Sequence, residues 1–183
     1  KRALVLSTPG RGESVAEVAR SLGPKLAGIY AKAVMHVPVE IAIDARRVAA
    51  ELGADCCIAV GGGSTTGLGK AIALTSGLPI IAVPTTYSGS EMTAILGMTE
   101  GGLKKTVRDP KVLPRTVIYD PDLTLGLPTA LSAASGMNAV AQLRRILDVN
   151  VGALEQRSGK PGYKATPVEV QGELDKILQT KQT

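Results

Sequence analysis

Apolar positions along the first two thirds of the chain follow two alternating patterns. Residues 2–6, 26–30, 55–60, 78–83 and 116–119 are short aliphatic runs bounded by Gly, Pro or polar residues. Such runs read as buried strands. Between them the spacing becomes helical. Residues 13–22 carry Val15, Val18, Ala19 and Leu22, and residues 38–52 carry Ile41, Ala45, Val48, Ala49 and Leu52. Residues 64–76 carry Leu68, Ala71, Ile72 and Thr75 on one side. Pro38 suits a first helical turn, and Gly23-Pro24 and Gly53 suit helix ends. Residues 34–37 form a further short apolar piece. Residues 92–99 and 103–107, joined across Gly101-Gly102, predict a β-hairpin. From Pro121 to about Leu147 the pattern is helical, with a break expected near Gly136.

Strands alternating with helices predict an α/β fold: a Rossmann-like parallel sheet with flanking helices, plus the hairpin. Ligands of such sheets bind beyond the carboxyl ends of the strands. Two polar loops occupy that position, residues 61–66 and 85–90. The organisation expected is a domain over residues 1–141 and a tail over residues 142–183. In the tail, residues 148–166 hold Gly152, Gly159, Pro161 and Gly162 among mixed charges and read as a loop. Residues 167–179 could form one amphipathic helix through Val170, Leu174, Ile177 and Leu178.

Composition narrows the choice. With no Phe, no Trp and four Tyr, the core must be aliphatic, which suits a sheet covered on both faces. The net charge of +5 is spread along the chain, and aromatics are nearly absent. That argues against nucleic-acid binding, where basic residues cluster and interleave with aromatics. No apolar run approaches the roughly 20 residues of a membrane span. The only cysteines, Cys56 and Cys57, are adjacent in a strand and should point to opposite faces. They read as buried hydrophobes in a reducing, cytoplasmic setting.

The candidate chemistry lies in the two loops. In Val60-Gly61-Gly62-Gly63-Ser64-Thr65, a strand gives way to glycines and a helix start. Glycines allow the backbone to approach a phosphate, and the first-turn N–H groups donate to it. A tight turn with no ligand is the alternative. The segment is not a Walker A loop: five residues separate Gly63 from Gly69-Lys70, and Ala71 follows. Nor does it match the dinucleotide Gly-x-Gly-x-x-Gly in register. The second loop, Pro84-Thr85-Thr86-Tyr87-Ser88-Gly89-Ser90, offers hydroxyls to phosphate, ribose or carboxamide groups, or simply caps its neighbours. His36 is the one histidine and, standing alone, reads as structural more readily than as catalytic.

The segments GGGSTTGLGKAIA, PTTYSGSEMT, Lys104-Lys105, and Val117-Ile118-Tyr119-Asp120-Pro121 with Leu127-Pro128 resemble the iron-containing alcohol dehydrogenases. Met35-His36-Val37-Pro38 and Gly136-Met137-Asn138-Ala139 are similar to the maleylacetate reductase branch of that family. The resemblance covers about residues 1–141. It implies NADH- or NADPH-dependent reduction of maleylacetate to 3-oxoadipate in aromatic-compound catabolism, with a small dicarboxylate substrate and a homodimer. By resemblance, Gly62, Gly63 and Ser64 hold the pyrophosphate. Thr85, Thr86 and Ser88 line the nucleotide and nicotinamide region, and Lys105, rather than Lys104, approaches the cofactor.

Thr8 stands where many members carry an aspartate against the adenosine ribose. With Arg11 nearby, this implies tolerance of the NADPH 2′-phosphate. Asn138 and Gln142 stand where metal-dependent members carry aspartate and histidine, so no metal is expected. The family's C-terminal helical domain is expected to be missing after residue 141. The alternative function is therefore an inactive nucleotide-binding module, or a partner of a full-length paralogue.

Overall fold

The computed structural model describes residues 1–159, 166, 168–170 and 172. Among the described residues, these elements follow in chain order: β1 (Ala3–Leu6), α1 (Gly12–Leu22), β2 (Leu26–Tyr30), α2 (Val39–Glu51), β3 (Cys56–Gly61), α3 (Gly63–Ser76), β4 (Ile80–Pro84), β5 (Ile95–Glu100), β6 (Leu103–Arg108), β7 (Thr116–Val117), α4 (Asp122–Leu125) and α5 (Thr129–Arg157). The chain divides into two compact units, Lys1–Asn138 and Ala139–Thr183, with the boundary inside α5.

Five strands make a parallel sheet in the order β2-β1-β3-β4-β7, and β5 and β6 form a separate antiparallel pair. Both faces of the sheet are covered, which is why its strands are nearly all apolar. Side-chain alternation divides them between two cores. Leu4, Leu6 and Cys57 join Ala42, Ala45 and Ala49 of α2 and Leu68, Ala71 and Ile72 of α3. Ala3, Val5, Cys56, Ile58 and Val60 face Val15, Val18 and Leu22 of α1. The two cysteines thus take opposite faces, both buried and free of disulfides. Small residues let α3 press onto the sheet: a Cβ on Gly69 would stand 3.3 Å from Ile80 Cγ2.

The α/β class, the parallel sheet and the hairpin agree with the pattern in the sequence. Two expectations do not hold. The helix is unbroken at Gly136, because one interior glycine costs only about 1 kcal/mol. The loop expected from residue 148 does not begin there either. α5 runs on to Arg157, no proline intervenes before Pro161, and Arg144 pairs with Asp148 at helical spacing. Most of the helix expected over residues 167–179 lies outside the described residues. Among the described residues, no helix is long and apolar enough to cross a membrane.

The strand order reverses about β1: the chain steps from β1 to β2 on one side and then to β3 on the other. A crevice opens at such a switch point, outside the carboxyl ends of β1 and β3. The loops after β1, β3 and β4 converge there.

Candidate functional site

The loop after β3 is shaped by close contact rather than by a named fingerprint. Gly61 has φ +153, which favours glycine, and a Cβ there would collide with Thr65 Oγ1. A Cβ on Gly62 would stand 2.9 Å from Thr86 Oγ1, and one on Gly63 would stand 3.4 Å from the Ser88 side chain. The glycines therefore bring the two polar loops together. The Thr85 N–H donates to the Gly61 carbonyl at 3.0 Å and ties them.

At the start of α3, Thr65 and Thr66 donate their N–H groups to Gly62 O. No side chain caps this helix. Among the described residues, no hydrogen bond engages the N–H of Gly63 or Ser64. These donors form the positive end of the helix dipole and suit an anion.

The loops border a cavity of about 570 Å³ within the first unit. Thr8, Gly62, Gly63, Ser64, Thr86 and Ser88 all line it. Arg11, His36 and Lys104 add cationic or proton-donating groups, and among the described residues no lining residue is Asp or Glu. A cavity of this charge accepts anions and repels cations. Thr8 and Arg11 also line an adjoining cavity of about 330 Å³, together with Ser7. Ser7 is 1% exposed, and its hydroxyl has no partner.

Two of the expected residues lie elsewhere. Thr85 is buried and does not line the cavity; its hydroxyl is unpartnered. Lys105 is also off the cavity, and its ammonium pairs with Glu100 at 2.5 Å. Successive side chains of β6 face opposite sides, so Lys104 lines the cavity instead. Geometry thus reverses the expected order of the two lysines.

Lys70 was not anticipated. It is fully buried on α3, and its ammonium donates to the carbonyls of Ser90 (2.6 Å), Thr93 (2.7 Å) and Ile95 (2.8 Å). It thereby holds the segment between the threonine loop and the hairpin. Burial pushes its pKa down to about 8, and the Glu91 carboxylate works against that shift. Glu91 is itself buried and accepts from the Tyr119 hydroxyl at 3.0 Å. Burial first, and then the Glu91 carboxylate, push the Tyr119 phenol up. Across the loop, the Tyr87 N–H donates to Ser135 Oγ of α5 at 3.2 Å. Nothing in a lone lysine within a helix pattern signals such a clamp.

The cavity lining also contains a strained turn. His36 has φ 66 and Val37 φ 45. A β-branched residue in this region costs about 1–3 kcal/mol and persists only when its surroundings over-determine it. Here Val37 is 4% exposed, and its Cγ2 occupies the space a Cβ on Gly67 would need, at 2.7 Å. Its carbonyl accepts from Thr99 N at 3.3 Å, and Pro38 bridges to Thr99. The apolar piece at 34–37 is therefore a turn rather than a strand.

Residues 1–121 match the family model described as iron-containing alcohol dehydrogenase. The chain is 61% identical over 140 residues to a maleylacetate reductase of Burkholderia cepacia, covering 76% of this chain and 40% of that protein. The crystal structure of maleylacetate reductase from Agrobacterium tumefaciens superposes with a TM-score of 0.76 at 52% identity, covering 80% of this chain and 42% of that one. Sulfoacetaldehyde reductase from Bifidobacterium kashiwanohense, solved in complex with NAD+, superposes with a TM-score of 0.69 at 24% identity and shows the fold alone; the match covers 78% and 44% of the two chains. The chain spans about 40% of the length of the curated relatives it matches.

Proposed function

From the premise that this chain belongs to the iron-containing alcohol dehydrogenase family, we propose that it carries the nucleotide-binding part of an NAD(P)H-dependent maleylacetate reductase. One observation carries the reading. Among the described residues, no hydrogen bond engages the N–H groups of Gly63 and Ser64, and the cavity beside them is lined by cationic groups and no carboxylate. That arrangement fits a cofactor pyrophosphate and an anionic substrate. The names of the relatives supply the substrate, which the cavity's charge suits.

In this reading Gly62, Gly63 and Ser64 hold the pyrophosphate, and Thr86 and Ser88 line the path toward the nicotinamide. Lys70 keeps that path in shape. Lys104, and not Lys105, lines the cavity, and the Thr85 backbone ties the two loops from beneath. Thr8 and Arg11, shared between the two cavities, face the adenosine ribose. Thr8 places no carboxylate against a 2′-phosphate, so both cofactors should bind. A bound NADH or NADPH would supply hydride to the carbon–carbon double bond of maleylacetate, with the balancing proton coming from solvent.

The family's name implies iron, and the expectation of no metal is at odds with it. Among the described residues, no group of three or more His, Cys, Asp or Glu could hold a metal ion. Asn138 lines the cavity and is a weak neutral donor. These residues do not fit an iron centre, and no step is assigned to one.

The test is loss of reduced-nicotinamide absorbance on adding maleylacetate to the full chain with NADH or NADPH. Turnover with both cofactors is the expected result. Cofactor binding without turnover would favour the inactive module instead. Absence of binding by either nucleotide would sink both.

A further inference from the structure

The glycine loop accounts for one anion. Another part of the cavity lining is built differently. His36 and Lys104 lie far apart in sequence, yet one residue connects them. Thr99 donates its N–H to Val37 O, bridges to Pro38, and is the cross-strand partner of Lys104. The turn bearing His36 and the strand bearing Lys104 are thus fixed to the same point of the hairpin. Both side chains line the cavity. The strain at His36 and Val37 gives this placement a physical reading. Val37 is locked between Gly67 and the core, and the left-handed turn that results leaves His36 on the cavity side. His36 is exposed rather than packed into the core, and it lines the cavity.

We infer that His36 and Lys104 form a carboxylate-binding subsite for the dicarboxylate substrate, separate from the phosphate site at the glycine loop. The imidazole N–H and the ammonium each donate a hydrogen bond to a carboxylate oxygen, and such charge-assisted contacts are short and directional. Lys104 can take this place because Gly97, across the hairpin, has no side chain: a Cβ there would meet Lys104 Cε at 3.1 Å. Substrate placement therefore depends on Gly97 as well. The inference rests on the nucleotide reading above for what fills the rest of the cavity.

One histidine in the chain makes the test direct. The full protein, labelled in its imidazole ring, is titrated with maleate as a non-reacting dicarboxylate, with and without saturating NADH. The expected result is a saturable shift of the His36 resonance by maleate. His36→Asn, which tolerates the left-handed turn, should weaken maleate binding about tenfold, the value of one charge-assisted hydrogen bond. NADH affinity of that variant, measured separately, reports whether the cavity is still formed. If NADH binds and maleate leaves the imidazole unmoved in both conditions, the subsite is wrong while the nucleotide reading stands. If NADH alone moves the imidazole and maleate does not, the wall serves phosphate and the inference is overturned. If maleate moves it and NADH binds nowhere, the subsite stands and the nucleotide reading fails.

Discussion

Replacing Gly62 with alanine separates the role of the glycine turn from that of glycine's flexibility. Gly62 has φ −86 and ψ −159, a conformation open to any residue, so the substitution adds no backbone strain. What it adds is a methyl group 2.9 Å from Thr86 Oγ1 and 3.0 Å from Thr86 Cγ2. Overpacking of this kind costs about 1–3 kcal/mol. Stiffening of the unfolded chain returns about 0.4–1 kcal/mol. The net expectation is destabilisation of about 1–2 kcal/mol, read as a lower urea midpoint at unchanged slope. NADH affinity should fall by about tenfold or more, because the two loops must part to accommodate the methyl. Thr86→Ala removes both atoms the methyl meets and leaves only Thr86 Cβ, at 3.6 Å. In that background Gly62→Ala should be neutral or slightly stabilising, giving a coupling of about 1–2 kcal/mol. A Gly62→Ala protein as stable as the parent, or one that Thr86→Ala fails to rescue, would refute the close-approach reasoning.

Three further outcomes follow from the same geometry. Lys70→Met strips the donor from three carbonyls and should cost about 3 kcal/mol, with faster amide exchange over residues 85–95; unchanged exchange there would contradict the clamp. Asp44 accepts from Arg47 (2.8 Å), Tyr30 (2.9 Å) and Lys32 (3.2 Å), and these contacts, Arg47's the largest, hold its pKa down at about 2. Its folded value lies below the unfolded value of about 3.9, so its contribution is complete above that pH and is lost as pH falls through about 2. The stability gap between parent and Asp44→Asn should accordingly close in that window in acid titrations. Both thiols should resist a disulfide reagent in the native protein and react fully once it is unfolded, since burial raises both and brings Cys57 to about 12.

Much of the fold was legible because the two apolar periods are clean. The strand runs and helix spacings marked every element of the parallel sheet, and the paired glycines marked the hairpin turn. The misses share a cause: each depends on a tertiary partner. Residues 34–37 stand out in sequence only as a short apolar piece, but packing against Gly67 and Thr99 accompanies left-handed backbone at His36 and Val37. Lys70 sits in a helix pattern like any solvated lysine, and only the path of residues 90–95 makes it buried. Adjacent lysines on a strand must face opposite ways, yet which one faces the cavity depends on how the hairpin sits. Gly136 and Gly152 looked like breaks because their cost, about 1 kcal/mol each, is visible in sequence while the rest of a 29-residue helix is not. The glycine and threonine loops could be singled out because both follow strand ends, whereas Thr8 was pointed to by the family resemblance alone; Thr8, Thr86 and Ser88 all line the cavity.

The central claim, a folded nucleotide site in this chain, is tested most directly by thermal unfolding with and without NADH and NADPH. At about 100 times its dissociation constant, a ligand of the native state adds roughly 2.7 kcal/mol. For a chain of this size that is an upward shift of about 5–10 °C. The account expects such a shift with both cofactors. A cooperative transition that neither nucleotide moves would contradict it.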